Sequence, residues 1–227
     1  MADLPTTELV ARLQEIVRGE VFADEATLEH YSRDASLFLV RPQVVVAPHD
    51  VADVKALVKF VSEAQGQNTN LSLTARAAGT DMTGGPLSES IIVDFSKYFN
   101  RVKKVELDTQ ALVGAGYAVV EPGVYYRDFE QETLKKDLLL PCYTASRELC
   151  AVGGMVANNS AGEKTLAYGQ TERYVRQLKV VLRDGEEYTF GAITLSQLEA
   201  KKQLGTLEGD VYRQTHQLIE ENYDLLQ

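Results

Sequence analysis

Residues 71–94, LSLTARAAGTDMTGGPLSESIIVD, carry the clearest chemistry in the chain. A β-rich run ends near Ala75, and small residues then fill 77–85 ahead of Pro86. Gly79, Gly84 and Gly85 can take φ > 0 without steric cost, and side chains this short let a ligand reach the backbone. Successive amides exposed in such a loop form a nest for an anion, which holds a phosphate without a cluster of Lys or Arg. Read locally, the same residues equally make a tight strand-to-strand connection that binds nothing.

A second stretch, residues 141–168, reads PCYTASRELCAVGGMVANNSAGEKTLAY. It is rich in small and hydrogen-bonding residues: Thr144, Ser146, Gly153, Gly154, Asn158, Asn159, Ser160 and Gly162. Gly153-Gly154 permits close backbone approach. The amides of Asn158 and Asn159 suit the polar edge of a heterocycle or the hydroxyls of a ribose. Small residues of this kind also let a helix pack closely on a sheet, so this stretch alone decides nothing.

Other patterns of known chemistry fail on spacing. Gly114 and Gly116 begin a GxG, but no third glycine follows and Ala118-Val119-Val120 is strand-like, where a dinucleotide fingerprint needs a helix. Gly79-x4-Gly84 starts like a P-loop, yet Gly85-Pro86 stands where Lys-Ser/Thr is required. Asn158-Asn159-Ser160 fits the glycosylation pattern by chance, since the polar, amphipathic start MADLPTTELVARLQ is no signal peptide. There is no GxSxG elbow. Cys142 and Cys150 form no CxxC pair and read as reduced thiols of a cytosolic protein. His30, His49 and His216 are scattered, so no metal site is expected.

The elements that position these stretches follow from periodicity. Thr6 or Thr7 caps a first helix with Leu9, Val10, Leu13, Ile16 and Val17 on one face, and Gly19 suits its C-terminal turn. Residues 23–31 read as a further turn or two of helix, with a loop over 32–37. Residues 44–47 form a β-branched strand. Asp50 caps the next helix, where Val51, Val54, Leu57, Val58 and Val61 repeat at helical spacing. With the strand at 71–75 this makes a β-α-β unit of parallel strands, and 90–95 is the strand after it. Such units bind ligands beyond the carboxyl ends of their strands, where 76–85 lies. From 102 the rhythm is antiparallel: strands at 102–107 and 111–115 joined across 108–110, then 118–121, a helix over 124–136, and a hairpin of 175–182 with 187–190 around Asp184-Gly185. Helices are expected over 194–203 and 207–226.

The pattern is therefore α+β in two lobes, a small parallel β-α-β lobe and an antiparallel β lobe with inserted helices. At 227 residues the chain suits one large domain or two small ones. A formal net charge of -10, without a basic stripe, argues against nucleic acid. No apolar run reaches the length of a membrane span.

Taken in series, ARAAGTDMTGG, EPGV (121–124), PCYTAS (141–146), VGGMVANNSAG (152–162), YGQT (168–171) and VRQLKVVLRDGE (175–186) resemble the FAD-binding flavoproteins of the vanillyl-alcohol oxidase/p-cresol methylhydroxylase superfamily. The branch most similar holds the GlcD-type glycolate oxidases and bacterial D-lactate dehydrogenases. YSRDAS (31–36) and PQVVVAPHDVADVKALV (42–58) also fit, so the resemblance covers about 31–186.

That resemblance implies a two-lobed FAD-binding (PCMH-type) domain over 41–192, with lobes of about 41–100 and 101–192. A helical segment, 1–40, precedes it, and a second, 193–227, leads toward a cap domain. It implies that the backbone of Ala75, Arg76, Ala77, Ala78, Gly79, Thr80 and Asp81 wraps the FAD pyrophosphate, with Gly84 and Gly85 continuing the loop. Pro141, Ser146, Gly153, Gly154, Asn158, Asn159, Ser160 and Ala161 would line the flavin and ribityl side. Relatives that tether FAD from this loop carry His where this chain has Thr80, so FAD is expected to be non-covalent. Asp81 replaces a commoner Gly, Ser or Asn, and a carboxylate there costs affinity for a pyrophosphate unless it points away or caps its neighbours.

The implied activity is oxidation of a small 2-hydroxyacid of the D-lactate or glycolate class by hydride transfer to flavin. Electrons would leave to a quinone, cytochrome or iron–sulfur partner. Full-length relatives continue into a cap domain that supplies most substrate-binding and proton-abstracting residues. The chain is thus expected to be a fragment, or a subunit whose partner supplies the rest, and no residue is assigned as catalytic base. A cytoplasmic location, including peripheral attachment to the inner face of the membrane, goes with this reading. Two other readings fit the same residues: a flavin-carrying electron-transfer subunit without a substrate pocket, and a degenerate, FAD-free interaction module.

Overall fold

The computed structural model describes residues 4–65, 70–108 and 115–227. The chain divides into two compact units, Met1–Val175 and Arg176–Gln227.

In the first unit, Glu20–Phe22 (β1), Val44–Ala47 (β2), Leu73–Arg76 (β3) and Ile91–Asp94 (β4) form one sheet in the order β1-β2-β4-β3. β4 is parallel to both β2 and β3, and β1 pairs antiparallel with β2. The β-α-β unit is present, but its two strands flank β4 instead of pairing with each other. Apolarity explains the order. All four residues of β2 and of β4 are buried, as central strands covered on both faces require, whereas β3 buries only Arg76 and takes an edge. β1, three half-buried residues long, offers no period to read and was not anticipated.

Helices cover both faces. Thr6–Ile16 (α1) and Val51–Gln65 (α3) bury Leu9, Leu13, Leu57 and Val61 against Val44, Val46, Ile91 and Val93. The alternate residues, Val45 and Ile92, face Leu28 of Glu25–Tyr31 (α2) on the other side. Asp50 Oδ1 accepts from the amides of Ala52 (2.9 Å) and Asp53 (3.3 Å), the cap read from the sequence. Asp53 does more than sit in a first turn. Its buried carboxylate accepts the amides of Arg18 (3.0 Å), Gly19 (2.9 Å) and His49 (2.8 Å), which joins α3 to β1 and β2. Gly19 is no helix cap, because α1 ends at Ile16, and any side chain at 19 would strike the Ala47 carbonyl.

After β4 the chain turns antiparallel. Val102–Asp108 (β5) pairs with Ala115–Val120 (β6), a single strand where two short ones at 111–115 and 118–121 were expected. The turn residues Thr109 and Gln110 and most of the expected first strand lie outside the described residues. Tyr126–Leu134 (α4) begins two residues later than its apolar pattern, because Tyr125 is held in a β-bridge to Ala151. Val152–Ala157 (α5), Thr165–Tyr168 (α6) and a 3-10 turn at Thr171–Tyr174 complete this part. Val124, Tyr126, Phe129, Tyr143, Cys150 and Met155 make its core.

The second unit is small. Gln177–Val181 (β7) and Glu187–Gly191 (β8) form the expected hairpin, with Gly185 at φ +71° and Asp184 Oδ1 accepting the Glu186 amide at 3.0 Å. Thr194 and Gln197 form a capping box at the start of Leu195–Lys202 (α7). Thr206 caps Leu207–Glu221 (α8), and Tyr223–Leu226 (α9) follows. One helix was expected over 207–226. Asn222, at φ -120°, breaks it and returns its side-chain amide to the Leu218 carbonyl at 2.8 Å. No helix among the described residues is long and apolar enough to cross a membrane.

Candidate functional site

The loop after β3 leaves the carboxyl end of a parallel strand, where the fold places ligands. Ala75 is exposed and Arg76 buried at its base. The Arg76 guanidinium turns inward, Nη1 donating to the Tyr31 carbonyl (3.2 Å) and Nη2 to the Arg33 carbonyl (2.7 Å), above the Tyr31 ring at 5.1 Å. Burial pulls the Arg76 pKa down, against the opposing charges of Tyr31, Asp34 and Asp94. Burial likewise pushes the Tyr31 phenol up, helped by the charge and hydrogen bond of Asp94.

Ala77, Ala78, Gly79 and Thr80 follow, all half-buried. Gly79 is in the left-handed region at φ +67°, and its carbonyl accepts the Ala35 amide at 3.2 Å. Gly84 is left-handed too, at φ +83°, with the Phe38 ring against it. Both positions need glycine, as the sequence suggested. Gly85 does not adopt positive φ; it is small because Asp81 is beside it. Asp81 Oδ1 accepts the Thr83 amide (3.0 Å) and hydroxyl (2.9 Å), and Oδ2 accepts the Gly85 amide (2.7 Å). The carboxylate therefore caps its own loop. Burial would raise its pKa, but the Thr83 and Gly85 bonds outweigh this and hold it below the ordinary range. The Thr83 and Gly85 amides of the loop are thus engaged by an internal anion. Beside Gly79 lies an open depression of about 510 Å³ lined by Glu29, His30, Arg33, Asp34, Ala35 and Arg76.

In the second stretch Pro141 and Ser146 are half-buried. The Ser146 carbonyl accepts the Leu149 and Cys150 amides, both at 2.8 Å. The hydroxyl of buried Thr144 lies 3.2 Å from both Ser146 Oγ and Cys150 Sγ. The two glycines of α5 differ. Gly153 donates to the Pro122 carbonyl at 2.8 Å, and a side-chain carbon there would lie 2.6 Å from Pro122 Cβ. Gly154 is exposed, with nothing within 4 Å of where such a carbon would sit. The two asparagines differ as well. Asn158 is exposed, with only a 3.4 Å contact from its side-chain amide to Ser160 Oγ. Asn159, at φ +44°, pairs with Glu172 in both directions, at 2.6 and 2.9 Å. The Ser160 carbonyl accepts from the Thr171 amide and hydroxyl at 3.2 and 2.7 Å. Ala161 is exposed.

The structure thus separates residues that bind the protein itself (Gly153, Asn159, Ser160) from those that present an open surface (Gly154, Asn158, Ala161). The turn at 121–124 links the two stretches. Gly123 donates to the Phe99 carbonyl at 2.7 Å and packs on the Phe95 carbonyl just past β4, while Pro122 carries Gly153. Glu121 anchors that turn: Arg101 Nε and Nη2 (3.1 and 2.9 Å), the Arg101 amide (3.0 Å) and Lys103 Nζ (2.9 Å) all reach its buried carboxylate. Sequence reasoning missed the 31–35 segment as part of the first loop's setting. Its signal was YSRDAS, but nothing local says that these carbonyls receive Arg76.

A nest with two left-handed glycines suits a pyrophosphate, and a helix presenting Gly154 and Asn158 to open space suits a flat ring with polar edges. Cys142 Sγ lies 4.0 Å from Thr171 Oγ1, and burial pushes its thiol pKa up. Among the described residues no three His, Cys, Asp or Glu side chains gather as a metal site.

The pattern of one protein family, described as FAD binding domain, matches residues 42–191. A D-2-hydroxyglutarate dehydrogenase of Pseudomonas putida is 26% identical over 210 residues, covering 92% of this chain but 20% of its own length. Glycolate oxidase subunit GlcD of Bacillus subtilis is 30% identical over 158 residues, covering 69% of this chain and 31% of its own. A D-lactate dehydrogenase of Archaeoglobus fulgidus is 29% identical, covering 79% and 39%. The chain therefore spans about a fifth to two fifths of the length of these curated relatives. Among solved structures, alkyldihydroxyacetonephosphate synthase superposes with a TM-score of 0.66 at 19% identity, over 84% of this chain and 36% of that one. 4-Ethylphenol oxidase from Gulosibacter chungangensis gives 0.64 at 21% identity, over 81% and 34%.

Proposed function

The chain belongs to the FAD binding domain family, and on that premise we propose that it is the FAD-holding portion of an oxidoreductase acting on a small 2-hydroxyacid of the D-lactate or glycolate class. We take 41–192 as the cofactor-binding portion, preceded by 1–40, which adds β1 to its sheet, and followed by 193–227. The observation that carries this reading is the loop at 77–85: left-handed Gly79 and Gly84 follow a parallel strand, and Gly79 lies against an inward-turned Arg76. The amides at 77–81 hold the pyrophosphate. Gly154, Asn158 and Ala161, with Pro141 and Ser146 nearby in sequence, meet the flavin side. Thr80 has no ring nitrogen to attach flavin, so the cofactor is held without a covalent bond.

Bound flavin would supply a two-electron acceptor, and this chain's share of the chemistry is to position it and tune its surroundings. The similarity to D-2-hydroxyglutarate, D-lactate and glycolate enzymes supports a 2-hydroxyacid substrate. A quinone, cytochrome or iron–sulfur protein is the electron acceptor of this reading, and the cytoplasm, or the inner face of the membrane, its location. One observation favours another reading: Asp81 already occupies the Thr83 and Gly85 amides, as it would in an FAD-free interaction module.

Titration with FAD, ADP and riboflavin separates the two. FAD and ADP bind and riboflavin binds more weakly if the loop is a pyrophosphate nest. A folded chain that binds neither FAD nor ADP removes the cofactor reading.

A further inference from the structure

The loop at 77–85 is tied to residues 31–35, a segment that precedes the 42–191 region matched by the family. We propose that Arg76 is a positioning residue, which clamps the glycine loop to this segment and thereby fixes the amides that would meet the pyrophosphate. The proposal rests on the FAD reading for its ligand, but the clamp itself is a matter of this chain's own contacts.

Three contacts make the clamp. The two ends of the Arg76 fork donate to the carbonyls of Tyr31 and Arg33 at 3.2 and 2.7 Å. The Ala35 amide donates back to the Gly79 carbonyl at 3.2 Å. The guanidinium itself lies against Gly79, where a side-chain carbon would come within 2.6 Å of Nη2. Residue 79 is therefore glycine for two reasons, its positive φ and the presence of Arg76, and not merely to admit a ligand.

The lower face is also built. Tyr31 lies under the guanidinium at 5.1 Å and interacts with Asp94, whose Oδ1 is held by the Ser96 amide (2.8 Å) and hydroxyl (2.7 Å). A buried cation is costly unless its donors are met and an opposite charge is near. Here two carbonyls take the donors, and Asp34 and Asp94 supply the charge. A planar fork that stacks on a ring while bonding two carbonyls is a geometry Lys cannot copy. Nη1 and Nη2 both donate to backbone carbonyls, so Arg76 acts through the loop. A loop held in its binding shape before the ligand arrives loses less freedom on binding.

The test uses the 227-residue chain with Arg76→Lys and Arg76→Met. Without ligand, hydrogen exchange at the Ala35 amide should speed up about tenfold in both, the size of losing one charge-assisted hydrogen bond. FAD and ADP should bind about tenfold more weakly to both variants, and riboflavin equally to all three proteins. If Arg76→Lys keeps parental protection and affinity, charge alone suffices and the clamp is wrong. Equal weakening of riboflavin would also overturn it, since that reports general loosening. Should Arg76→Met fail to fold, Ala35→Pro removes the returning amide without touching Arg76 and must weaken FAD and ADP in the same way. If the parent chain binds neither FAD nor ADP, the functional reading falls, and the clamp is decided by Ala35 exchange in Arg76→Lys alone.

Discussion

At Gly79 and Asp81 the residue types were legible, but what each side chain touches was not. Gly79 sits at φ +67°, where an L-residue costs about 1–2 kcal/mol, and a methyl there must also displace Arg76. Gly79→Ala should therefore lower stability by about 1–3 kcal/mol in urea melts and weaken FAD binding by the folded fraction, read by titration. Unchanged FAD affinity in folded Gly79→Ala would remove the loop from the site. Asp81 was read as a like charge beside phosphates that either costs affinity or caps its neighbours, and the structure shows the second. Its two roles pull apart on substitution. Asp81→Asn keeps an acceptor for Thr83, loses the bond from the Gly85 amide, and removes one negative charge. Cofactor-free stability should fall by about 0.5–1 kcal/mol, a modest figure because the carboxylate is partly hydrated. FAD affinity should stay equal or rise. Paired melting and titration curves check this, and a drop in both would show that the cap matters more than the charge.

The elements were readable wherever apolar period and turn chemistry agreed, as in α3 and the β7–β8 hairpin; in α1 the apolar face was readable, but Pro5 and not Thr6 or Thr7 stands at its N-cap, with no side-chain bond. They were not where tertiary contacts decide. Strand order depended on which strands are covered on both faces, α4 waits for the Tyr125–Ala151 bridge, and Asn222 interrupts a continuous apolar stripe. α5 shows the same limit, since its adjacent glycines look alike in sequence. Gly153→Ala drives a methyl into Pro122 and should cost about 1–3 kcal/mol, as overpacking does. Gly154→Ala meets nothing and should stabilise the helix by up to about 1 kcal/mol, yet weaken FAD if the flavin approaches that face. A stable Gly154→Ala with parental affinity would move the flavin elsewhere. The turn that carries Pro122 depends on Glu121. Burial alone would raise the Glu121 pKa, but Arg101 and Lys103 lower it below the ordinary carboxylate value of about 4.3. A group with a depressed folded pKa contributes stability above its unfolded pKa and loses it as pH falls through the folded one. Glu121→Gln should thus cost about 1–2 kcal/mol at pH 7, where both cations remain hydrated at 68% and 53% exposure. The difference from the parent should shrink below about pH 4. A pH-independent difference would mean that shape, not charge, is what Glu121 provides.

For the whole molecule, the relevant quantity is how much of an active site its 227 residues can build. Removing a proton from a 2-hydroxyacid needs a base within hydrogen-bond reach of the hydroxyl. Of the second-stretch residues read as lining the flavin, those exposed to solvent, Gly154, Asn158 and Ala161, carry no acid or base, and Cys142 is buried with a raised pKa. Of the three histidines, His49 lies beside Asp50 and Tyr98, His216 is on α8, and His30 lines the depression next to Gly79. None lies in the 141–168 stretch that the flavin reading assigns to the ring. Relatives about two to four and a half times this length bear the dehydrogenase and oxidase names, consistent with substrate groups supplied by other residues. The chain on its own should therefore bind FAD without turning over D-lactate, glycolate or D-2-hydroxyglutarate. Without the contacts that further residues would add, its Kd should be micromolar or weaker, about -8 kcal/mol. Calorimetric titration gives the affinity, and a dye-coupled assay with each acid gives the turnover. Dye reduction above the no-protein rate, dependent on FAD and on one of the acids, would sink the prediction. His30→Asn would then be the first variant to make, because His30 is the histidine that lines the depression beside the candidate cofactor loop.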